Sequence, residues 1–522
     1  MKLLRLSLTL LAAAILAVLA LRLAFPLPDR QGIAVTTAIP ASAQTTLGAA
    51  ILPEQATHPG NSGITLLAGG GEAFAARVAL ARAAEQTLDV QYYIWQADTT
   101  GFVLLNELRA AAARGVRVRL LLDDNGITGL DAELRALDDL PNIELRLFNP
   151  FTLRNPKLLS FAFDFVRLNR RMHNKSLTAD GVASVVGGRN VGDIYFAYGP
   201  GEHYIDTDVL AVGPAATDVS AMFDAYWNSA SAFPADLILP AAPDGLARLQ
   251  AAVTLATATD LARDYFTTVS RSSLVARLMS ANATEEWVPV TLVSDDPLKG
   301  LGRQADGGLL IERLGAVLTD VATGPAVTVD LVSAYFVPGQ GGTDLMTALS
   351  RQGVAVRVLT NAQEATDVLT VHGSYAGYRD DLLAAGVVLG ELKADPLLPQ
   401  PDQTLAMLLA GSASSLHSKV FSIDNARVFI GSFNLDPRSA RLNTEMGLLI
   451  ESPAIAALVT HAIDRVMLDA AYGVRLTDTG ALSWVTRAAD GSETVLLTEP
   501  NTTWLDRSLV TLIGLLPIEW MM

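Results

Sequence analysis

One pattern occurs twice in the chain and constrains its fold more than any other feature. Residues 173–190 read HNKSLTADGVASVVGGRN, and residues 417–434 read HSKVFSIDNARVFIGSFN. A histidine, a lysine, an aspartate, a glycine and an asparagine occur at the same spacing in both copies. Chance does not explain five shared spacings, and the pattern therefore predicts two copies of one structural unit.

The segments before each copy predict the same order of helices and strands. Apolar residues at helical spacing alternate with β-branched and aromatic runs of strand length. The predicted helices cover 72–86, 101–115, 309–322 and 341–353, and the predicted strands cover 87–95, 116–124, 326–338 and 354–361. Alternating elements of this kind predict an α/β fold, here two homologous α/β sandwich domains packed about a pseudo-twofold axis.

Changes in composition divide the chain into six predicted parts. These are an N-terminal membrane anchor or signal peptide (1–27), a linker (28–60), a first α/β domain (61–235), a connecting segment (236–285), a second α/β domain (286–475) and an apolar C-terminal tail (476–522). Each domain copy has the size of an ordinary single domain.

The N-terminal segment carries Lys2 and Arg5 before an apolar run from Leu6 to Leu21. With the residues that follow Arg22, the run reaches the length of a membrane-spanning helix. A cleaved signal peptide is the alternative, although the ASAQ sequence at 41–44 lies too far from the run to serve as its cleavage site. Positive charge before the apolar run favours a cytoplasmic N-terminus and a body on the opposite side of the membrane.

Composition excludes several kinds of protein. The chain has no cysteine, which excludes disulfide bonds, thiolate metal sites and a cysteine nucleophile. Its net charge of −16 argues against a broad nucleic-acid surface, because such surfaces are basic. A small basic pocket for a single phosphate is compatible with this charge.

Each repeated pattern predicts a β-hairpin with phosphate chemistry on one face. The histidine and the lysine stand two residues apart on the first strand, so their side chains point to the same face. Histidine serves as a nucleophile or an acid near neutral pH, and lysine supplies a positive charge for a phosphate oxygen. One copy is half of a phosphodiester site, and two facing copies complete it; the predicted residues are His173, Lys175, His417 and Lys419, with Asn190 and Asn434 as phosphate ligands.

Two pairs of acidic residues complete the predicted site. Asp180 and Asp424 stand at the hairpin turns, where a catalytic role and a structural role that accepts backbone N–H groups are both open. Asp208 and Glu445 lie on the next strand of each repeat and are predicted to orient the histidine rings; the alternative is a solvated acid at a strand end. The pattern argues against a zinc site, because the clusters lack the histidine and cysteine ligands that zinc prefers and a lysine beside a ligand would repel the metal.

The two patterns resemble the paired HxKxxxxD motifs of the phospholipase D superfamily. RRMHNKSLTADGVASVVGGRNVGDIYF and SFNLDPRSARLNTEMGLLI are most similar to the bacterial cardiolipin synthase branch. The resemblance implies two phospholipase D-like domains and a membrane-associated phosphatidyltransferase that needs neither a metal nor a cofactor. It further implies a covalent phosphohistidine intermediate, with His173 as nucleophile and His417 as general acid and base.

The acceptor decides the activity that the resemblance implies. Transfer to a glycerol hydroxyl makes cardiolipin or a related diphosphatidyl lipid, whereas transfer to water makes the protein a phosphodiesterase that hydrolyses phospholipid or, less expectedly, nucleic acid. The predicted anchor and the acidic body favour lipid, with phosphatidylglycerol and then phosphatidylethanolamine as candidate substrates, in a bacterial inner membrane with the body on the periplasmic side. The tail with Trp520 and the segment 396–415 are candidate lipid-facing regions; a tail helix docked on the core is the alternative.

Overall fold

The computed structural model describes residues 2–271, 277, 286–304, 307–320, 324–394, 414–488 and 490–522. The first half of the chain contributes β1 Ser62–Leu67, β2 Thr87–Ile94, β3 Arg117–Gly126, β4 Ile143–Phe148, β5 Ser176–Ala179, β6 Ala183–Gly187, β7 His203–Ile205, β8 Asp208–Val212, β9 Ala232–Pro234 and β10 Glu286–Val288. Within these residues one mixed sheet has the order β10-β1-β8-β6-β5-β2-β3-β4-β9.

The second half builds a sheet with the same central arrangement. Its strands are β11 Val290–Ser294, β12 Thr328–Ser333, β13 Ala355–Asn361, β14 Val388–Leu392, β15 Ser414–Leu416, β16 Lys419–Ile423, β17 Arg427–Gly431, β18 Met446–Ile450, β19 Ala471–Leu476, β20 Leu482–Arg487 and β21 Glu493–Leu496. Their order in the described part of the chain is β11-β18-β17-β16-β12-β13-β14-β19-β20-β21, and β15 pairs separately with β7.

Helices cover both sheets. In the first half they are α1 Lys2–Ala24, α2 Thr46–Thr57, α3 Gly70–Ala83, α4 Thr99–Ala113, α5 Asp131–Asp138, α6 Phe161–Leu168, α7 Pro214–Trp227, α8 Gly245–Ala256 and α9 Asp260–Ser270. In the second half they are α10 Leu310–Thr319, α11 Gly339–Arg351, α12 Leu369–Ala376, α13 Arg379–Ala384, α14 Pro437–Arg441, α15 Pro453–Asp469 and α16 Trp504–Gly514. Four 3₁₀ turns in the described ranges complete the set, at Lys157–Ser160, Ala235–Leu237, Pro297–Leu301 and Glu519–Met521.

The predicted α/β fold and its repeat are confirmed. The strand–helix–strand units β2-α4-β3 and β12-α11-β13 pair their strands in parallel, as a helical crossover requires. Gly115 and Gly353 end the two crossover helices with φ of 98° and 93°, a conformation that favours glycine.

The two sheets share one hydrophobic core. A single cluster of buried side chains joins Val186 and Val209 of the first sheet to Val332 and Val420 of the second. A pseudo-twofold axis relates the two domains at this contact. Met172 forms a β-bridge with Thr444, and β15 pairs with β7 in the equivalent place. The domains are therefore packed against each other at the edge where the repeated patterns lie.

Three details differ from the predicted boundaries. The linker 28–60 contains α2, whose Leu47 and Ile51 are buried. Strand β10, predicted to open the second domain, pairs instead with β1 of the first sheet. The second sheet continues through β20 and β21, which lie in the predicted tail. Composition did not reveal these elements, because short edge strands and a lone helix need contacts from distant residues.

Helix α1 is the one helix in the described ranges that is long and apolar enough to cross a membrane, over Leu4–Ala24, and none of that stretch is buried in the protein. Length and composition support this reading and do not separate an anchor from a signal sequence. Most of the candidate lipid-facing segment 396–415 lies outside the described residues.

Candidate active site

The repeated patterns form matching hairpins, β5–β6 and β16–β17. The first turn has positive φ at Asp180 (50°) and Gly181 (63°), and the second at Asp424 (53°) and Asn425 (51°). Two consecutive left-handed residues make the tight turn that suits the twist of a hairpin. The Asp-Gly and Asp-Asn pairs in the sequence explain why the chain turns here.

Asp180 and Asp424 hold backbone rather than substrate. The Asp180 carboxylate accepts the N–H groups of Gln86 (2.8 Å) and Thr87 (2.9 Å), just before β2. The Asp424 carboxylate accepts three N–H groups in the equivalent place, from Ala326, Val327 and Thr328, at 2.8 to 2.9 Å. Of the two roles left open for Asp180 and Asp424, these contacts favour the structural one; the N–H groups they accept come from the chain that leads into β2 and β12 and not from the hairpin turn.

His173 is buried between the two domains. Its Nδ1 lies 2.8 Å from Glu445 Oε2 and 3.1 Å from the carbonyl oxygen of Ser432, both in the second domain. A carbonyl oxygen only accepts hydrogen bonds, so Nδ1 carries the proton and Nε2 presents a lone pair. The ring of Tyr93 meets the imidazole edge-on, with centroids 5.0 Å apart.

His417 has an equivalent place with a different carboxylate. Its Nδ1 lies 2.5 Å from Asp206 Oδ2, in the first domain. Three tyrosine rings surround the imidazole, with centroid distances of 5.0 Å to Tyr204, 5.3 Å to Tyr195 and 6.4 Å to Tyr335. Each histidine therefore takes its carboxylate partner from the opposite domain.

The prediction for Asp208 is wrong, and the prediction for Glu445 agrees with the geometry. Asp208 forms a buried ion pair with Arg77 at 2.8 Å, away from both imidazoles. Asp206, two residues earlier, is the structural counterpart of Glu445. Side chains two residues apart share one face of a strand, so alternation alone does not separate Asp206 from Asp208.

The two lysines lie beside the histidines that precede them. Lys175 Nζ donates to the carbonyl oxygen of His173 at 2.6 Å, and Lys419 Nζ donates to the carbonyl oxygen of His417. Burial lowers the pKa of Lys175 to about 7, although Glu445 acts in the opposite direction. Burial lowers the pKa of Lys419 as well. Both ammonium groups lack full charge compensation, which prepares them to receive an anion.

Burial also sets the charge of the two imidazoles. It lowers the pKa of His173 well below the usual value, and Lys175, Lys419 and His417 add to that effect. The pKa of His417 is lowered by burial and by Lys419, while Asp206 opposes the shift. Repulsion between the charged lysines and imidazoles of the two motifs couples their protonation, as expected for a single shared site.

The two carboxylates differ in acidity. Burial raises the pKa of Glu445 to about 7. Burial also favours the neutral form of Asp206, but His417, Lys419 and Arg189 outweigh it and lower the pKa of that carboxyl. Asp206 is therefore ionised at neutral pH, whereas burial favours the protonated form of Glu445.

The predicted phosphate ligands are both buried. Asn190 follows β6, donates from Nδ2 to the Tyr195 hydroxyl at 3.0 Å and accepts from the Ile94 N–H at 3.2 Å. Asn434 follows β17 in the equivalent place, and its Oδ1 has no hydrogen-bond partner within the described part of the protein. A buried amide oxygen accepts hydrogen bonds, so this atom suits a donor such as a substrate hydroxyl, whereas a phosphate oxygen would be bound through Nδ2.

Sequence reasoning missed Asp206, Ser432 and the four tyrosines. The repeat itself holds a signal for Asp206 and Ser432. The first copy, GGRN, has Gly188 at the position where the second copy, GSFN, has Ser432. A Cβ at Gly188 would lie 2.1 Å from Asp206 Oδ1, so the glycine makes room for the carboxylate. In the other copy the Ser432 hydroxyl donates to Glu445 Oε2 at 2.5 Å.

The fold and site define a class of two-domain α/β proteins with paired His-Lys half-sites facing each other across a domain contact. A family model described as "Cardiolipin synthase, PLD-like domain" matches residues 78–227 and 323–467, which contain one half-site each. The chain belongs to this family.

Individual relatives agree with this assignment. The chain is 44% identical over 481 residues to cardiolipin synthase C of Escherichia coli K12, covering 91% of this chain and 99% of that protein. It is 27% identical over 390 residues to cardiolipin synthase A of Pseudomonas syringae, covering 74% of this chain and 65% of that one. The crystal structure of phosphatidylserine synthase from Haemophilus influenzae matches with a TM-score of 0.57 at 14% identity, over 92% of this chain and all of that chain, and shows the shared fold.

Proposed function

We propose that this protein is a membrane-associated phosphatidyltransferase that makes cardiolipin or a related diphosphatidyl lipid through a covalent phosphohistidine. The observation that carries the proposal is the pair of histidines, each bound through Nδ1 to a carboxylate of the opposite domain. This arrangement leaves the two Nε2 atoms for chemistry, and the match to cardiolipin synthase C over 91% of the chain supports the lipid product.

In the first step, Nε2 of His173 attacks the phosphorus of the donor phospholipid. The P–N bond forms as the bond from phosphorus to the headgroup oxygen breaks, and His417 gives its proton to that oxygen. The lowered pKa of His173 keeps its ring neutral and nucleophilic. The ionised Asp206 stabilises the imidazolium that His417 needs for proton donation.

In the second step, His417 takes the proton from a glycerol hydroxyl of the acceptor lipid. The resulting oxygen attacks phosphorus, the P–N bond breaks, and His173 returns to its neutral form. With phosphatidylglycerol as donor and acceptor, the products are cardiolipin and glycerol.

The two lysines and the two asparagines stabilise the charge on the transferring phosphoryl group. The ammonium groups of Lys175 and Lys419 approach from the two domains, and the amides of Asn190 and Asn434 add two further donors. Such preorganised donors stabilise a five-coordinate transition state without help from water. In the described ranges no three His, Asp or Glu side chains converge as a metal-binding group, and we expect the reaction to need no metal.

Phosphatidylglycerol is the proposed first substrate, and one feature supports phosphatidylethanolamine as a second donor. The hydroxyls of Tyr204 (3.0 Å) and Tyr335 (2.8 Å) both donate to the exposed carboxylate of Asp367, beside the His417 ring. A carboxylate next to aromatic rings suits an ammonium group. The leaving headgroup next to His417 would then carry the amine.

We further propose that α1 anchors the protein in the bacterial inner membrane with its body on the periplasmic side. Lys2 and Arg5 lie at the start of α1, before its apolar run, and support this orientation. Because the chain has no cysteine, Thr479→Cys creates a single labelling site in the exposed turn between β19 and β20. A membrane-impermeant maleimide should label it in intact spheroplasts, and labelling only after lysis would reverse the orientation.

The activity is tested with purified full-length protein and labelled phosphatidylglycerol in mixed micelles, with and without phosphatidylethanolamine. We expect labelled cardiolipin from phosphatidylglycerol alone, and His173→Ala as the control should make none. Phosphatidic acid as the sole lipid product would contradict the transferase and identify a phospholipase D-type hydrolase.

A further inference from the structure

We propose that helix α16 and the segment 157–166 insert their exposed apolar side chains into the surface of the same lipid bilayer that α1 enters. This inference goes beyond the proposed function and rests only on its membrane setting. It makes the C-terminal helix a second, interfacial attachment that holds the active site against its lipid substrate.

Helix α16 carries an apolar stripe that nothing in the described residues covers. Leu505, Leu509 and Leu512 recur at spacings of four and three, so they lie on one side of the helix, and 59%, 48% and 59% of their surfaces are exposed. Trp504 and Leu515, at the two ends of the helix, are 68% and 78% exposed. Leucines flanked by tryptophan on a helix that lies flat are typical of the membrane interface.

The opposite side of α16 is docked on the protein. Val510 is buried, and Ile513 packs so closely on α12 that a Cβ at Gly373 would lie 2.9 Å from its side chain. The inner face of α16 is therefore already packed on the protein. The apolar stripe lies on its outer face, which points away from the body.

A buried ion cluster fixes the chain just before α16. Glu499, five residues before the helix, accepts hydrogen bonds from His372 (2.9 Å) and from Arg379 (2.8 and 3.0 Å). The guanidinium and imidazole lower the pKa of Glu499 to about 2 against the effect of burial, so the cluster stays charged at neutral pH. The helix is thus held in one orientation.

The second part of the surface lies where α1 meets the body. Arg22, in the last turn of α1, donates to the carbonyl oxygen of Phe163 in α6 at 2.6 Å, and the rings of Phe25 and Phe163 are 6.1 Å apart. The last turn of a membrane helix marks the level of the interface. Leu158 and Val166 belong to the segment that this turn contacts, and 74% and 66% of their surfaces are exposed.

One arginine links the chain that follows α16 to the chain that follows the segment 157–166. Arg438 donates to the carbonyl oxygen of Met521 at 2.8 Å and to Asn169 Oδ1 at 2.7 Å, immediately after α6. Trp520, next to Met521, is 49% exposed. Asn169 lies four residues before His173, so the apolar surface borders the chain that carries the active-site imidazole.

Charge identifies the kind of contact. The chain has a net charge of −16, so general electrostatic attraction to anionic lipid does not hold the body on the membrane. Burial of apolar side chains is the remaining force, and it is insensitive to salt at the concentrations that screen charges. The occupant that fits is the bilayer itself.

The position of α16 is tested with a fluorescent probe on the full chain in proteoliposomes. Ser508→Cys places a single thiol between Trp504 and Leu512 on the exposed side, and an NBD label there should be quenched by lipids brominated near the carbonyl end of their acyl chains. Thr479→Cys serves as the reference. Quenching at position 508 by aqueous iodide, equal to that at 479 and with no quenching by brominated lipid, would overturn the proposal.

The effect on activity is tested with the double variant Leu509→Glu/Leu512→Glu. Its rate on phosphatidylglycerol vesicles should fall roughly tenfold or more, in low and high salt alike, because two apolar contacts with lipid are lost. Its rate on short-chain phosphatidylglycerol below the micelle concentration should match the parent. Leu255→Glu, at an exposed leucine of α8, is the matched control and should act like the parent on both substrates.

Each other outcome of this experiment has a separate meaning. Parent-like activity on vesicles would overturn the docking surface, and so would an equal loss on both substrates, which would assign the leucines to the fold. A parent protein that makes no transfer product from either substrate would refute the proposed function, whatever the probe at position 508 shows.

Discussion

The two half-sites share every spacing of their motifs but differ in what surrounds the imidazole. His173 contacts a glutamate whose pKa burial raises to about 7, and one tyrosine ring. His417 contacts an aspartate whose pKa His417, Lys419 and Arg189 lower despite burial, and three tyrosine rings. The repeat thus duplicates the backbone and the phosphate ligands while the domain contact makes the two histidines unequal.

This difference supports the different roles that we propose for the two histidines. An ionised carboxylate stabilises an imidazolium, which is the form that carries protons between alcohols. A carboxyl whose pKa is raised by burial favours a neutral ring, which is the form that attacks phosphorus. The environments therefore support His417 as acid and base and His173 as nucleophile.

The largest expected effect is loss of either imidazole. On natural phospholipid we expect His173→Ala and His417→Ala each to lower kcat/KM by about 10⁴-fold or more, because each removes a group that the others do not replace. The double variant should be no worse than either single one. Transfer assays on the three proteins measure this, and additive losses would show that the half-sites act independently.

The next effect distinguishes Asp206 from its neighbour Asp208. Asp206→Asn should lower kcat by about 10²-fold or more, because the His417 ring loses the carboxylate that stabilises its protonated form. Asp208→Asn is the matched variant: it breaks the buried pair with Arg77 and should instead lower Tm, by roughly 5 °C. The idea fails if the two variants show the same kcat at a temperature where both are folded.

A pH profile tests the role of Lys175. Since Lys175 has its pKa lowered to about 7, it is charged below that pH and loses its proton above it. We expect kcat/KM to fall as the pH rises above about 7, and Lys175→Arg, which stays protonated, to keep its activity to higher pH. Profiles normalised at pH 6 remove any change in overall rate. An alkaline limb identical in both proteins would assign it to another group.

The smallest expected effect is that of metal removal. If the two half-sites supply all the positive charge that the phosphoryl group needs, EDTA should leave the rate of transfer unchanged. The measurement is the transfer assay after dialysis against chelator, with and without added Mg²⁺ or Ca²⁺. Activity that disappears on chelation and returns with either ion would show that the lysines are not sufficient.

Much of the architecture is predictable from the sequence. The equal spacing of two motifs, with helices and strands in the same order before each, predicts the duplicated α/β domain and locates His173, Lys175, His417 and Lys419. These features are local, because a strand that alternates and a turn made of Asp-Gly need only neighbouring residues. Helix α2 and strands β20–β21 were not predicted, since their stability comes from contacts with distant parts of the chain.

The orienting groups of the site are not predictable in the same way. Asp206 reaches His417 across the domain contact, and the choice between Asp206 and Asp208 depends on a two-residue offset that strand alternation does not reveal. Tyr195 and Tyr204 come from the first domain and Tyr335 from the second, so the three rings surround His417 only when the domains pack. Spacing within one motif therefore locates the reacting groups, whereas tertiary packing selects the groups that tune them.

The most direct test of the central claim is to trap the covalent intermediate in the two histidine variants. A radiolabelled diacylglycerol phosphodiester of p-nitrophenol has a leaving group that departs without a proton, so His417→Ala should form the phosphoenzyme and release it slowly. After an alkaline quench, peptide mapping should find acid-labile label on His173 in that variant and none in His173→Ala. Label on His417 in the His173→Ala protein would contradict the account and reverse the two roles.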